Sequence, residues 1–153
     1  MYQKILVPLD GSPVAECVMP HIEAIAKSES SLVELITVVE PLEIPTRGGI
    51  AITDADLKQI ASELRKETRQ YLEGIVESLK KAGVKATYTI LSGKPAETMV
   101  EYVNDNPVDL VIIATHGRSG ITKWIWGSFT EKILRAVNVP ILLVKTKKCE
   151  AEG

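Results

Sequence analysis

The chain has 153 residues, of which 45% are hydrophobic and 25% charged, the usual composition of one globular domain that buries about 70% of its unfolded surface. Its net charge of −2 and its lack of a Lys/Arg cluster argue against nucleic acid or an anionic membrane surface as a ligand. The apolar runs are too short for a membrane span and the start, MYQKILVP, is not a secretory signal, so the expected location is the cytoplasm.

Apolar runs and helical periodicities alternate along the chain. Strands buried on both faces are predicted where β-branched and apolar residues follow one another, and the alternating segment KATYTIL is typical of a strand near a sheet edge. Helices are predicted where apolar residues recur every three or four positions, and Pro20 predicts a bend inside the first of them. Strands are expected at residues 5–9, 32–39, 85–91, 110–113 and 139–145, and helices at 13–27, 53–83, 95–106 and 128–137. Residues 1–146 are thus one predicted domain, and residues 147–153 a polar tail.

This alternation of strands and helices predicts an α/β fold of the Rossmann-like type. The five strands would form an open parallel sheet, with helices on both faces and right-handed crossovers. Sheets of this kind bind ligands beyond the carboxyl ends of their strands, at the point where the strand order reverses. Periodicity alone leaves the flavodoxin-like strand order open as an alternative.

The segment LVIIATHGRSGITKWIWGSFTEK carries the strongest functional signal. Its buried strand leads into a loop, from Thr115 to Gly120, whose two glycines permit positive φ and close approach of the backbone to a ligand. Ser128, followed three residues later by Glu131, is a capping box that predicts Ser128 as the N-cap of the last helix. A glycine loop beside a helix N-terminus is an anion site in outline, suited to phosphate. In the alternative interpretation the glycines only turn the chain and Glu131 takes the place of a phosphate. The pattern is neither a Walker A loop nor the dinucleotide G-x-G-x-x-G.

Two further segments border the same edge of the predicted sheet. Asp10 follows the first strand and opens a turn into a helix capped by Ser12. Its carboxylate either bonds nearby N–H groups within the turn or contacts a ribose or a metal. Residues 40–53 are the longest irregular stretch, and a loop of this length is usually either functional or disordered. As a functional loop it would fold over a ligand as a lid with Arg47 near the phosphates; in the alternative interpretation Arg47, as a lone arginine, is exposed to solvent. Cys17 and Cys149 do not have metal-ligand spacing, so no metal site is assigned to protein side chains.

The spacing Ala114, two residues, Gly117, nine residues, then Gly127 and Ser128 closely resembles the nucleotide-binding signature of the universal stress protein family, G-x-x-G, nine residues, G-S/T. The segments KILVPLDGSP, ELITVVE and VPILLVK also resemble that family, so the resemblance covers nearly the whole chain. Ala114 departs from the signature, which has glycine there. The resemblance implies the strand order 3-2-1-4-5, with the switch point between strands one and four. It also implies a set of nucleotide-binding residues: Pro8, Asp10, Val38, Ala114, Gly117, Arg118, Gly120, Gly127, Ser128 and Phe129.

The function implied by this resemblance is that of a regulatory, stress-response module that binds ATP or another adenine nucleotide, with a protein partner reading its state. Val38 would receive the adenine through its backbone, Asp10 would contact the ribose, and Mg²⁺ or Mn²⁺ would bridge phosphate oxygens. No Asp or Glu is placed by the sequence to orient His116 as a base, so we expect hydrolysis to be absent or slow. The apolar last strand, from Val139 to Lys145, predicts a homodimer formed by pairing with its twin. The alternatives are a dimeric interaction module without nucleotide, a slow ATPase, and an adenine-nucleotide hydrolase or ligase.

Overall fold

The structure, a computed structural model, describes residues 1–42, 53–115 and 126–145. Within these ranges five strands form one parallel sheet in the order β3-β2-β1-β4-β5, which confirms the predicted fold class and strand order. The strands are β1 (Lys4–Pro8), β2 (Leu32–Val39), β3 (Lys85–Ser92), β4 (Leu110–Thr115) and β5 (Ile141–Lys145). The helices are α1 (Met19–Glu29), α2 (Asp54–Lys81), α3 (Pro95–Asp105) and α4 (Trp126–Ala136), and a 3₁₀ segment, Pro13–Val18, precedes α1.

Two hydrophobic cores lie on opposite faces of the sheet, because successive side chains of a strand point to opposite faces. On one face α1 and α2 cover the odd-numbered residues of β1 and β2, and on the other face α3 and α4 cover the even-numbered ones. The fully buried side chains include Ile5, Leu35, Leu72, Leu79 and Ile112 in the first core and Leu6, Ile36, Met99, Val111 and Ile133 in the second. Helices therefore pack on both faces, as predicted.

The long helix α2 begins where the sequence predicted it, and it is longer than the sheet that it packs on. Thr53 is its N-cap, and the Thr53 hydroxyl and the Asp56 carboxylate each accept a hydrogen bond from the other residue's N–H. Its 28 residues span about 42 Å at 1.5 Å per residue, whereas an eight-residue strand spans about 26 Å. Only the second half of α2 is thus buried on the sheet. The apolar pattern of the helix predicts that Ile60 is also buried, but Ile60 is 45% exposed.

Two other local predictions are corrected by the structure. Pro20 does not bend a continuous helix, because α1 begins only at Met19 and Pro20 occupies its first turn, where the missing N–H breaks no helical hydrogen bond. The last strand begins at Ile141, two residues later than predicted. It nevertheless lies at the sheet edge, as expected.

A buried polar cluster links β1, β2, β3 and α3 through the side chains of Lys4, Glu34, Thr89 and Tyr102. The carboxylate of Glu34, which is 4% exposed, accepts hydrogen bonds from Thr89 Oγ1 at 2.7 Å and from the Tyr102 hydroxyl at 2.6 Å. Its second oxygen forms an ion pair with Lys4 Nζ at 2.8 Å rather than a further directional hydrogen bond. Burial raises the pKa of Glu34, but the contacts with Lys4, Tyr102 and Thr89 outweigh it, and the net pKa lies below its ordinary value.

Candidate functional site

The central strand β1 is shorter than its neighbours at the carboxyl end of the sheet. Its last paired residue is Pro8, which is buried and lies opposite Ile36 of β2. Toward β4, pairing covers only Ile5 and Leu6, although β4 continues to Thr115. Strands β2 and β4 therefore both extend past the end of β1 and leave a crevice at the switch point, where sheets of this type bind ligands.

The backbone of Val38 faces this crevice. The Leu9 N–H donates to the Ile36 carbonyl at 2.8 Å, so the backbone polar groups of Ile36 point toward β1. Those of Val38, two residues further along β2, point to the same side because the direction alternates from residue to residue. The Gly93 N–H bonded to the Val39 carbonyl at 3.1 Å, on the β3 side, agrees with this alternation. Since β1 pairing has already ended at Pro8, the N–H and C=O of Val38 are directed into the space beyond β1.

Asp10 lies at the mouth of the same crevice and organises the turn after β1. Its Oδ1 atom accepts a hydrogen bond from the Ser12 N–H at 2.9 Å, which is the turn geometry expected of an aspartate in this position. Ser12 is the N-cap of the 3₁₀ segment by its position, although its side chain makes no capping hydrogen bond. The half-buried carboxylate is thus held at the end of the central strand, beside the buried hydroxyl of Thr37, which donates to the Leu9 carbonyl at 2.9 Å.

At the end of β4, Ala114 lies opposite Val144 of β5. Its methyl group is 8% exposed and belongs to the first core, together with Val18 and Val144. The methyl group that distinguishes Ala114 from a glycine is therefore packed inside the protein. The predicted site residues Gly117, Arg118 and Gly120 lie outside the described residues, as do His116 and Arg47.

Helix α4 begins two residues earlier than predicted, and this changes the role of Ser128. Because α4 starts at Trp126, Gly127 and Ser128 lie in its first turn and Ser128 is not the N-cap. Ser128 is exposed, and Phe129 is 5% exposed and packs in the second core. The positive end of the helix dipole lies at this turn. Glu131 pairs with Arg135 at 2.8 Å, which does not support the interpretation that its carboxylate takes the place of a phosphate.

The spacing of the apolar residues in α4 predicts that Ile133, Leu134 and Val137 are all buried. Ile133 and Val137 are buried, but Leu134 is 48% exposed. The apolar stripe of α4 is therefore narrower than its sequence suggests.

A cavity of about 240 Å³ lies next to the crevice, between the ends of β1 and β2 and the helix α2. We call it the Tyr71 cavity; its lining includes Asp10, Thr37, Leu64, Glu67, Thr68 and Tyr71. The apolar pattern of α2 predicts that Tyr71 and Thr68 lie on its buried stripe and indicates no functional role for them. No pattern in the chain signals their position, because it depends on where α2 crosses the sheet. A larger cavity, of about 360 Å³, lies between α3 and α4 and shares none of these residues.

The arrangement suits an uncharged polar ligand at one end and an anion at the other. Asp10 supplies a carboxylate at the end of β1, and the first turn of α4, the helix that follows β4 in the chain, is the positive end of its helix dipole. Among the described residues no group of three or more His, Cys, Asp and Glu side chains is placed to hold a metal ion. None of the helices within those ranges is long and apolar enough to cross a membrane.

Comparison with known proteins identifies the family. The model of the universal stress protein family matches residues 1–145, which is nearly the whole chain. The chain belongs to the universal stress protein family. This confirms the resemblance found in the sequence.

The relatives include universal stress protein MJ0577 of Methanocaldococcus jannaschii, which is 31% identical over 96% of this chain and 97% of its own length. The solved structure of MJ0577 superposes with a TM-score of 0.79 and covers 96% of this chain and 98% of that one. A universal stress protein in complex with cAMP has a TM-score of 0.69 at 20% identity, covering 95% of this chain and 98% of its own. That of Archaeoglobus fulgidus in complex with dAMP has a TM-score of 0.63 at 20% identity, covering 94% and 98%. The last two likenesses concern the fold.

Proposed function

We propose that this universal stress protein binds an adenine nucleotide, most specifically ATP, in the crevice beyond β1. The observation that carries the proposal is the unequal length of the strands, which directs the backbone N–H and C=O of Val38 into that crevice. One backbone donor and one acceptor in a fixed geometry match the donor and acceptor atoms on the edge of adenine. The related proteins solved with cAMP and with dAMP carry the same base, which supports this choice.

The remaining contacts of the proposed site are those that the family resemblance implies. In this proposal Asp10, beside Pro8 at the end of β1, accepts hydrogen bonds from the ribose. The phosphates would extend across Ala114 toward the first turn of α4, where Gly127, Ser128 and Phe129 lie at the positive end of the helix dipole. The family resemblance adds Gly117, Arg118 and Gly120 to the proposed site; these three lie outside the described residues.

The cation expected with ATP would bind at this site only through the phosphate oxygens of the nucleotide. Among the described residues no cluster of acidic, histidine or cysteine side chains could hold a metal ion. Mg²⁺ commonly binds through substrate phosphates with few protein ligands. Mg²⁺ or Mn²⁺ would neutralise the phosphate charge. Since the sequence offers no base oriented for attack by water, we propose little or no hydrolysis and a regulatory role in which nucleotide occupancy changes the recognition of a protein partner.

We further propose that the protein is a homodimer in the cytoplasm. Strand β5 ends the sheet, and one of its side chains, Leu143, is 38% exposed. An apolar edge strand satisfies its outward backbone groups by pairing with a second copy about a two-fold axis. Sedimentation at micromolar concentration is expected to give a dimer, and a monomer at that concentration would contradict the pairing.

Matched variants test the nucleotide site. Asp10→Ala is expected to weaken ATP binding about 10- to 100-fold, since a hydrogen bond to a charged group contributes roughly 1.5–3 kcal/mol. Asp10→Asn keeps an acceptor for the Ser12 N–H but removes the negative charge. It therefore measures the contribution of the charge to binding while the turn stays intact. Gly127→Ala places a methyl group against the phosphates and is expected to weaken binding at least about tenfold, whereas Gly74→Ala in α2 serves as its control.

Binding is measured with Mg²⁺ through the fluorescence of Trp124 and Trp126, and phosphate release is followed in parallel. Equal affinity of all four variants and the wild type would contradict the site. Rapid release of phosphate would favour the ATPase alternative. A folded dimer that binds no nucleotide would favour the interaction module.

A further inference from the structure

Cys17 takes part in a disulfide bond. It is half-buried in the 3₁₀ segment Pro13–Val18, and no cysteine of the described residues is free. The chain contains two cysteines, and the second is Cys149, which lies outside the described residues. Within one chain Cys149 is therefore the partner that the sequence offers to Cys17.

The surroundings of Cys17 bring it within reach of Cys149. The 3₁₀ segment follows β1 and packs against β4, so it lies, like the end of β5, at the carboxyl edge of the parallel sheet. Val18, the residue after Cys17, belongs to the first core together with Val144 of β5. Strand β5 ends at Lys145, and the four residues from there to Cys149 can span about 14 Å, whereas neighbouring strands lie only about 4.8 Å apart. The end of β5 is therefore close enough to Cys17 for the bond to close within one chain.

The bond is not needed to hold the domain together. Two hydrophobic cores cover both faces of the sheet, and β5 already pairs with β4 along its whole length. Disulfides that replace a missing core occur in small secreted domains, whereas those of cytoplasmic proteins are usually transient and either catalytic or redox-sensing. Because the protein is proposed above to be cytoplasmic, a redox-sensing bond fits it better than a structural one.

The element that contains Cys17 is one whose position a covalent bond can change. A 3₁₀ segment has poorer hydrogen-bond geometry than an α-helix. This segment receives no side-chain cap from Ser12, and it directly follows the turn that Asp10 organises. A bond at Cys17 would fix the segment and join the end of the chain to it, and reduction would release both.

We propose that Cys17 and Cys149 form a reversible, redox-sensitive disulfide, which ties residues 146–153 to the 3₁₀ segment in the oxidised protein and releases them in the reduced protein. The oxidant is a low-molecular-weight disulfide such as oxidised glutathione. The thiolate of one cysteine attacks its S–S bond, forms a mixed disulfide and releases one glutathione thiolate. The thiolate of the second cysteine then attacks the sulfur of the first and releases the other glutathione. The two cysteine thiols lose two electrons and two protons in total, and one glutathione disulfide becomes two thiols.

The experiment equilibrates the full chain, without nucleotide, in buffers that contain reduced and oxidised glutathione in graded ratios. Acid stops the exchange, free thiols are alkylated, and the mass of the intact protein is measured. We expect two alkyl groups per chain in the reducing buffers and none in the oxidising ones, where tryptic digestion should yield a peptide pair joined through Cys17 and Cys149. Cys17→Ser and Cys149→Ser are matched variants that keep one thiol each. In the oxidising buffers each variant should carry one glutathione instead of the intramolecular bond.

Thermal unfolding supplies a second measurement on the same samples. Because a disulfide restricts the unfolded chain, the oxidised wild type should melt at least about 4 °C above the reduced wild type. Each serine variant should melt at the same temperature in both buffers. A shift in the variants as large as that of the wild type would contradict the proposed bond as its cause.

Three further results would overturn the inference. Alkylation of both thiols in every buffer would show that the bond does not form. Covalent dimers in place of the intramolecular bond would show that Cys17 pairs with a second copy of the chain. A bond that persists in a large excess of reduced glutathione would be a permanent structural one.

Discussion

The substitution Glu34→Gln tests how strongly the buried polar cluster stabilises the sheet. Glutamine still accepts hydrogen bonds from Thr89 and Tyr102 through its amide oxygen, but it removes the negative charge that lies 2.8 Å from Lys4 Nζ. Removing one member of a buried ion pair typically costs about 3–5 kcal/mol, because the other charge is left buried and unpaired. The Lys4 side chain is 21% exposed and retains some hydration, so we expect a smaller cost, about 2 kcal/mol.

This loss is measurable by urea unfolding. For a chain of this size, about 2 kcal/mol corresponds to a melting temperature lower by about 4–8 °C, and the m-value is expected to stay unchanged. The control is Glu73→Gln, because Glu73 is exposed and its contact with the Tyr88 hydroxyl lies at the surface. It is expected to change stability by less than about 0.5 kcal/mol. Equal effects of the two substitutions would show that the buried charge of Glu34 does not stabilise the fold.

The pH dependence of the wild type follows from the same cluster. The pKa of Glu34 in the folded protein lies below its ordinary value of 4.5, so the unfolded chain binds more protons on acidification. The contribution of Glu34 is therefore fully present above about pH 4.5 and is lost as the pH falls through the lower pKa of the folded state. Unfolding curves of Glu34→Gln should lack this part of the acid destabilisation. An identical acid limb in wild type and variant would count against the assignment.

The remaining predictions concern two glycines and the sheet edge. Gly83 follows α2 with φ +86°, so Gly83→Ala is expected to lower the free energy of unfolding by about 1 kcal/mol. Gly74 lies inside α2, where alanine loses less backbone entropy on folding, so Gly74→Ala is expected to raise the free energy of unfolding by about 0.5–1 kcal/mol. An added methyl group meets no atom within 4 Å at either glycine, so denaturant unfolding of the two variants measures the effect on the backbone alone. A change of the same sign in both variants would contradict this backbone effect. Leu143→Arg should weaken the proposed dimer at least about tenfold in sedimentation, because it places a charge on the edge strand. Ile60→Arg, on an equally exposed position of α2, should leave the dimer intact, and dissociation of both or neither would refute pairing through β5.

The sequence predicted the architecture because its strongest signals are local. The apolar run at Ile5 and Leu6, the helix start at Thr53 and the sheet-edge position of Lys85 all depend on a few neighbouring residues, and the structure confirms them. Element boundaries were less predictable. The helix start predicted from the capping box at Ser128 and the observed start at Trp126 lie about half a turn apart. Local sequence alone does not distinguish two starts that are so close.

Features that depend on the relative position of elements escaped prediction. The exposure of Ile60 follows from the length of α2 relative to the sheet, and the apolar pattern of a helix contains no information about that. The direction of the Val38 backbone was expected only through the family resemblance; the structure explains it by the early end of β1. The Tyr71 cavity depends on three elements at once, and no local pattern connects Tyr71 with Asp10.

The most direct test of the central claim is a calorimetric titration of nucleotide-stripped wild-type protein with ATP and Mg²⁺. Before the titration, freshly purified protein is denatured and the supernatant is analysed by chromatography for released adenine nucleotide. We expect saturable binding of one ATP per chain, displaced by the adenine nucleotide that copurifies. No heat of binding up to millimolar ATP, together with no copurified nucleotide, would contradict it and leave the dimeric interaction module as the function to pursue.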